Sequence, residues 1–176
     1  MSDAELRVET SGQVVSPPEP WVRIVPLGGV GEIGLNMTLL ETAEDILVID
    51  AGLMFPEEEM LGVDLVLPDA TYLLAQRPRV RGVVLTHGHE DHTGALPYLL
   101  PQLPVPIYGT RLSLGLVQEK LREFGLDRQA ELRAVRPQDR LSLGTLEVEF
   151  VRVSHSIPDG VAVAVRTAAG LVVHTG

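Results

Sequence analysis

The sequence contains no cysteine, which excludes disulfides, thiolate-held metals and a cysteine nucleophile. Any metal must then be held by His, Asp or Glu. It has no apolar run near the ~20 residues that a membrane helix requires, so a membrane partner is not expected. Its first twenty residues, MSDAELRVETSGQVVSPPEP, lack the basic start and apolar segment of a secretory leader. That lack and the missing cysteine together point to the cytoplasm. Residues 1–20, acidic and ending in prolines, are expected to form a flexible tail before Trp21. Positive charge is scarce too: 14 basic residues face 24 acidic ones, for a net charge of −10. Taken alone, that balance argues against a nucleic-acid partner.

What is present suffices for about one packed domain: 176 residues, 45% hydrophobic and 22% charged. Short β-rich runs are expected at 21–26, 36–41, 46–49, 80–86 and 105–108, and alternating or apolar ones at 145–153, 161–165 and 171–173. Helices are expected at 69–76, capped by Asp69, at 94–100, with Pro97 in the first turn, and at 112–124, ended by Gly125. Mixed elements with buried strands in both halves give α/β or α+β, read as two sheets between helix layers. Gly28, Gly29, Gly31 and Gly34 mark a tight turn. Three of them fit a Gly-x-Gly-x-x-Gly pattern, but a strand follows rather than a helix, which argues against a dinucleotide site. Glu57, Glu58 and Glu59 read as a solvated loop.

Five histidines occur, and three of them fall within His87-Gly88-His89-Glu90-Asp91-His92. The stretch follows a buried strand and precedes a helix, where α/β proteins place their sites. In an extended turn i and i+2 project to one side, so His87 and His89 can grip one metal ion. Asp91 and His92 follow as the chain turns into the helix and can address a neighbouring ion. Gly88 is small enough to let the turn pass close to the ions. Such ligands suit zinc, and also manganese or iron. His155, in SHSIPD just beyond a strand, is a third ligand candidate for the first ion. Glu90 is expected to face solvent or brace the loop. His174, inside an apolar strand, reads as a buried, hydrogen-bonded histidine. Asp50, at another strand end, is open between supporting the metal loop and being a turn aspartate leading into Gly52.

The His-x-His-x-Asp-His pattern resembles the signature of the metallo-β-lactamase superfamily, whose fold is an αββα sandwich. LGGVGEIGLNM at 27–37, DAGLMFPEEEMLGVDLVLPD at 50–69, LTHGHEDHTGALPYLL at 85–100, PIYGTRLSLGLVQEKL at 106–121 and SHSIPD at 154–159 further resemble the ribonuclease J family, from Trp21 to Gly176. The resemblance implies a two-metal ribonuclease, a 5′-to-3′ exonuclease with endonuclease activity in RNA maturation and decay. His87, His89 and His155 would hold the first ion and Asp91 and His92 the second, these last two being the catalytic pair. Asp50 would support the metal loop, and Gly31, Glu32 and Asn36 would lie on a substrate-adjacent loop.

The resemblance also implies two divalent cations, zinc with manganese as the alternative. The partner would be single-stranded, 5′-monophosphorylated RNA, and the assembly a homodimer or higher homo-oligomer working with other RNA-decay proteins. The family's bridging aspartate follows a His-Thr-Gly segment, and here the sequence stops at His174-Thr175-Gly176. Residues 21–176 are therefore expected to be an incomplete, N-terminal part of the metallo-β-lactamase domain of a longer enzyme, lacking its β-CASP and C-terminal domains and inactive alone. On this reading the −10 charge says only that a basic RNA path is local or lies outside this stretch. The metal cluster alone would also suit a glyoxalase II-like thioesterase or a lactonase. A metal-free RNA-binding relative is the reading from a different class.

Overall fold

The computed structural model describes residues 19–176; most of the expected 1–20 tail lies outside the described residues. Ten strands form two sheets. The first runs in spatial order through β1 (Arg23–Gly28), β2 (Met37–Glu41), β3 (Ile46–Ile49), β4 (Val80–Val84), β5 (Ile107–Gly109) and β6 (Leu132–Ala134). Its first three strands are antiparallel, and β3 to β6 run parallel. The second sheet is an antiparallel meander of β7 (Arg140–Leu143), β8 (Leu146–Arg152), β9 (Val161–Thr167) and β10 (Gly170–His174). Helices α1 (Thr71–Ala75), α2 (Glu90–Thr93), α3 (Leu96–Leu99) and α4 (Arg111–Glu123) accompany them.

The strands of the first sheet are apolar without a break because both faces are covered. Alternate residues divide between two cores. Leu39, Ile46, Val48, Val83 and Ile107 pack with Leu73, Leu96, Leu99, Leu114, Val117 and Leu121 on the helix side. Leu40, Leu47, Ile49, Val84 and Tyr108 pack with Leu146, Val148, Phe150, Val163 and Val165 between the sheets. Each such side chain, when fully buried, contributes roughly 1.5–3 kcal/mol. The order is helices, sheet, sheet. Among the described residues no helix covers the outer face of the second sheet, so the structure holds three of the four layers of an αββα sandwich.

Several boundaries differ from expectation for visible reasons. The expected 94–100 helix is the single turn α3, with a separate turn, α2, just before it; Pro97 has no N–H to donate back to the Thr93 carbonyl and so cannot join the two. Asp69 accepts a hydrogen bond from the Thr71 N–H at 2.9 Å, but α1 runs only from Thr71 to Ala75. Strands β6 and β7, three and four residues long, carry too few alternations to announce themselves. β7 is held by its hairpin with β8, where Leu143 pairs with Leu146.

Candidate metal centre

The strands β4, β5 and β6 all end on one edge, and the histidine loop leaves β4 there. His89 keeps extended backbone (φ −69°, ψ 152°) at the cap of α2, so it stays beside His87 while Asp91 and His92 enter the helix. His155 arrives from the second sheet, three residues beyond β8. Ligand atoms of His87, His89 and His155 all lie within 4.8 Å of one another. The ring of His87 is 4.7 Å from that of His89, 4.6 Å from that of His155 and 4.0 Å from that of His92. Nitrogens sharing one ion at ~2.0–2.1 Å lie about 3–4 Å apart, so modest ring rotations make the triad a three-nitrogen site.

One buried carboxylate orients this cluster. Asp50, 1% exposed, accepts from the Thr86 N–H at 2.8 Å, the Thr86 hydroxyl at 2.7 Å and His92 Nδ1 at 2.7 Å. A carboxylate only accepts, so the Thr86 proton is committed to Asp50. The Thr86 oxygen is then left to accept from His87 Nδ1, 2.9 Å away. Both rings thereby carry their proton on Nδ1 and turn a bare Nε2 outward, a tautomer assigned from the network. His87 Nε2 faces His89 at 3.0 Å, and His92 Nε2 faces the Asp91 carboxylate at 3.5 Å.

Burial, seconded by the His92 charge and resisted by Asp50, pushes the His87 pKa down to about 4. It is neutral at pH 7 and its lone pair is available. Burial works against charge on His92 as well, but the hydrogen bond and charge of Asp50, with Asp91, outweigh it and raise its pKa. Three imidazole nitrogens at one position, and a carboxylate beside an imidazole at the next, form a donor set that suits divalent cations.

The supporting residues came less readily from the sequence. Asn36, expected near substrate, donates from Nδ2 to the Asp91 carboxylate and to the Asp91 carbonyl, both at 3.1 Å. Gly31 and Glu32 sit on the exposed glycine turn, where Glu32 accepts from the Gly29 N–H at 3.0 Å. Glu90 is ion-paired to Lys120 of α4, which braces the loop. His174 is half-buried, its Nδ1 accepting from the Gly176 N–H at 3.2 Å. Gly88 lies against α4, where an added Cβ would meet the movable end of the Leu116 side chain. Thr86 and Gly52 went unremarked as site residues. A Cβ on Gly52 would overlap the Asp91 backbone, and only the tripeptide Asp50-Ala51-Gly52 at a strand end hinted at it.

Comparison with known proteins places the chain. Residues 30–169 match the model of the metallo-beta-lactamase superfamily. The sequence is 50% identical over 166 residues to Ribonuclease J of Thermus thermophilus, covering 90% of this chain and 29% of that protein. It is 48% identical to Ribonuclease J2 of Bacillus subtilis, with 88% and 28% covered, and 46% identical to Ribonuclease J of Helicobacter pylori, with 88% and 23% covered. The chain thus spans between a quarter and a third of the first two relatives and slightly under a quarter of the third. Among solved structures, a protein of unknown function from Enterococcus faecalis superposes with a TM-score of 0.69 at 19% identity, covering 88% of this chain and 43% of its own. A metallo-beta-lactamase fold protein from Bacillus subtilis superposes with a TM-score of 0.63 at 17% identity, with 90% and 62% covered; both speak to the fold alone. Among the described residues no helix is long and apolar enough to cross a membrane.

Proposed function

The chain belongs to the metallo-β-lactamase superfamily, and from that premise we propose that it is the metal-binding part of a ribonuclease that hydrolyses RNA phosphodiester bonds with two divalent cations. The observation that carries the reading is the His87, His89, His155 triad, set beside Asp91 and His92 in a sequence akin to ribonucleases J. His87, His89 and His155 hold the first cation through imidazole nitrogen. Asp91 and His92 would hold the second, while Asp50 fixes the tautomer of His87 through Thr86 and that of His92 directly. When bound, two such cations supply a water acidified towards neutral pKa and positive charge for the phosphoryl oxygens.

The protein's own part is orientation. Asn36 keeps the Asp91 carboxylate turned towards His92. The low pKa of His87 keeps it a ligand rather than a cation at neutral pH. The finer features belong to the same reading and rest on the resemblance: zinc or manganese, 5′-to-3′ exonuclease with endonuclease action, and 5′-monophosphorylated single-stranded RNA. So do self-association, other RNA-decay partners and a cytoplasmic setting.

In the natural protein carrying this sequence, His89→Ala is expected to lower bound metal, measured by emission spectrometry, and abolish RNA cleavage while RNA binding stays measurable. Wild-type turnover in that variant, or hydrolysis of a thioester with none of RNA, would overturn the reading.

A further inference from the structure

A cavity of about 760 Å³ carries Arg111, Arg136 and Arg152 on its rim. All three side chains are exposed, and among the described residues none makes an ion pair. Most other arginines of this acidic chain are paired: Arg79 with Glu41, Arg81 with Asp45, Arg133 with Glu131, Arg140 with Glu149. Of the two carboxylates that line the cavity, Glu149 is held by Arg140 at 3.0 Å, and Asp159 sits at the rim on the His155 loop. The floor is apolar, from Val135 and Phe150.

The fold builds this concentration of charge. Arg111 follows β5 and Arg136 follows β6, on the same sheet edge from which the histidine loop leaves β4. Two strand spacings, roughly 10 Å, separate β4 from β6. Arg152 ends β8, three residues before His155, a chain distance of at most about 11 Å. The first turns of α4 close the gap, since Leu116 and Ser113 pack against Gly88 of the metal loop. Guanidinium groups match phosphate geometry and remain charged at any working pH. Three of them share one rim with no ion pair of their own among the described residues, and Glu149 is already taken by Arg140, so the balance of charge there favours an anion.

We propose that this arginine-rimmed cavity is a nucleic-acid backbone site that takes phosphates of the RNA strand on one side of the bond positioned at the histidines. The proposal rests on the ribonuclease reading and gives it a direction: the strand leaves the metal centre across the ends of β5 and β6. The −10 net charge of the chain then misleads because the basic surface is local.

The test is the affinity of the natural protein, stripped of metal by chelation, for a short single-stranded oligoribonucleotide across a salt series. Replacing Arg111, Arg136 and Arg152 together with Gln is expected to weaken binding at low salt at least tenfold. It should also flatten the slope of log affinity against log salt by about 0.7 per lost phosphate contact, near 2 in total. A control with Arg77, Arg128 and Arg166 changed to Gln has the same net charge and should bind as the wild type does. The substituted side chains are exposed, so unchanged melting temperature checks folding. Unchanged affinity and slope in the cavity variant, or equal losses in the control, would refute the site while leaving His89-dependent cleavage, and with it the ribonuclease reading, intact. Competition by polyglutamate as effective as that by RNA would also refute it, in favour of an acidic peptide. Failure of RNA cleavage in the wild type, by contrast, strikes the functional reading itself.

Discussion

Strand β3 is flanked by two aspartates, and the two do different work. Asp45 and Asp50 are each 1% exposed, four apolar residues apart. Asp45 takes the Thr145 N–H at 2.5 Å and hydroxyl at 2.6 Å, and pairs with Arg81. It pins the β7–β8 hairpin of the second sheet to the first. Asp50 takes Thr86 and His92 and sets the proton positions of the metal cluster. Each end also needs a glycine: a Cβ on Gly144 would overlap the Asp45 carboxylate, and one on Gly52 would overlap the Asp91 backbone. The same residue type, equally buried, thus serves sheet assembly at one end and the arrangement of the histidine cluster at the other. Burial alone does not say which; the partners do.

The sharpest way to break that comparison is at the glycines. Gly52→Ala meets backbone that cannot turn aside, in a segment tied to Asn36, Glu90 and His92 by hydrogen bonds of 2.8 to 3.2 Å. It is expected to cost on the order of 4 kcal/mol or more, read by thermal or urea unfolding. Gly144→Ala meets a side chain and a φ of +65°, and about 1–3 kcal/mol should suffice. Equal costs would remove the distinction between the two ends.

A reciprocal pair of aspartate variants sharpens it further. Asp45→Ala leaves the Thr145 N–H and hydroxyl without an acceptor, a loss of about 2 kcal/mol in unfolding free energy, with metal binding kept. Asp50→Asn fits the same space but presents an NH₂ group to Thr86 and His92, favouring protonation of His92 at Nε2, the wrong nitrogen. Metal affinity, measured by calorimetric titration, is expected to fall by about 10–100-fold. Metal affinity that drops with Asp45→Ala as well would mean the ends are not independent.

The sequence made the chemical end easier to read than the structural one. His87, His89 and His92 stand within six residues, and ligand chemistry allows few alternatives to a metal at that spacing. Asp50 was ambiguous because its partners, Thr86 and His92, lie 36 and 42 residues away and no local pattern encodes them. Asp45 gave no signal, since its partner Thr145 is 100 residues distant. Strands β2 to β4 were visible because burial on both faces makes them continuously apolar. β6 and β7 were not, because their pairing with β5 and β8, rather than their own composition, keeps them extended.

The smallest expected effect concerns acid. Burial on its own pushes the Asp45 carboxyl up, but Thr145 and Arg81 more than offset it, so its pKa lies below the ordinary 3.8. Glu41 behaves alike: burial raises it, while the Tyr72 and Arg79 hydrogen bonds and the Arg23 and Arg79 charges bring it below 4.5. A depressed carboxyl contributes stability that is fully present above the unfolded pKa and is lost as pH falls through the folded one. The melting temperature should therefore decline as pH drops below about 4.5, on top of the general acid sensitivity of carboxylates. Glu41→Gln with Asp45→Asn should start from a lower melting temperature at pH 7 and decline less steeply in that window. Parallel slopes for the variant and the wild type would mean that these two carboxylates, both at the entry side of the first sheet, are not where its acid stability resides.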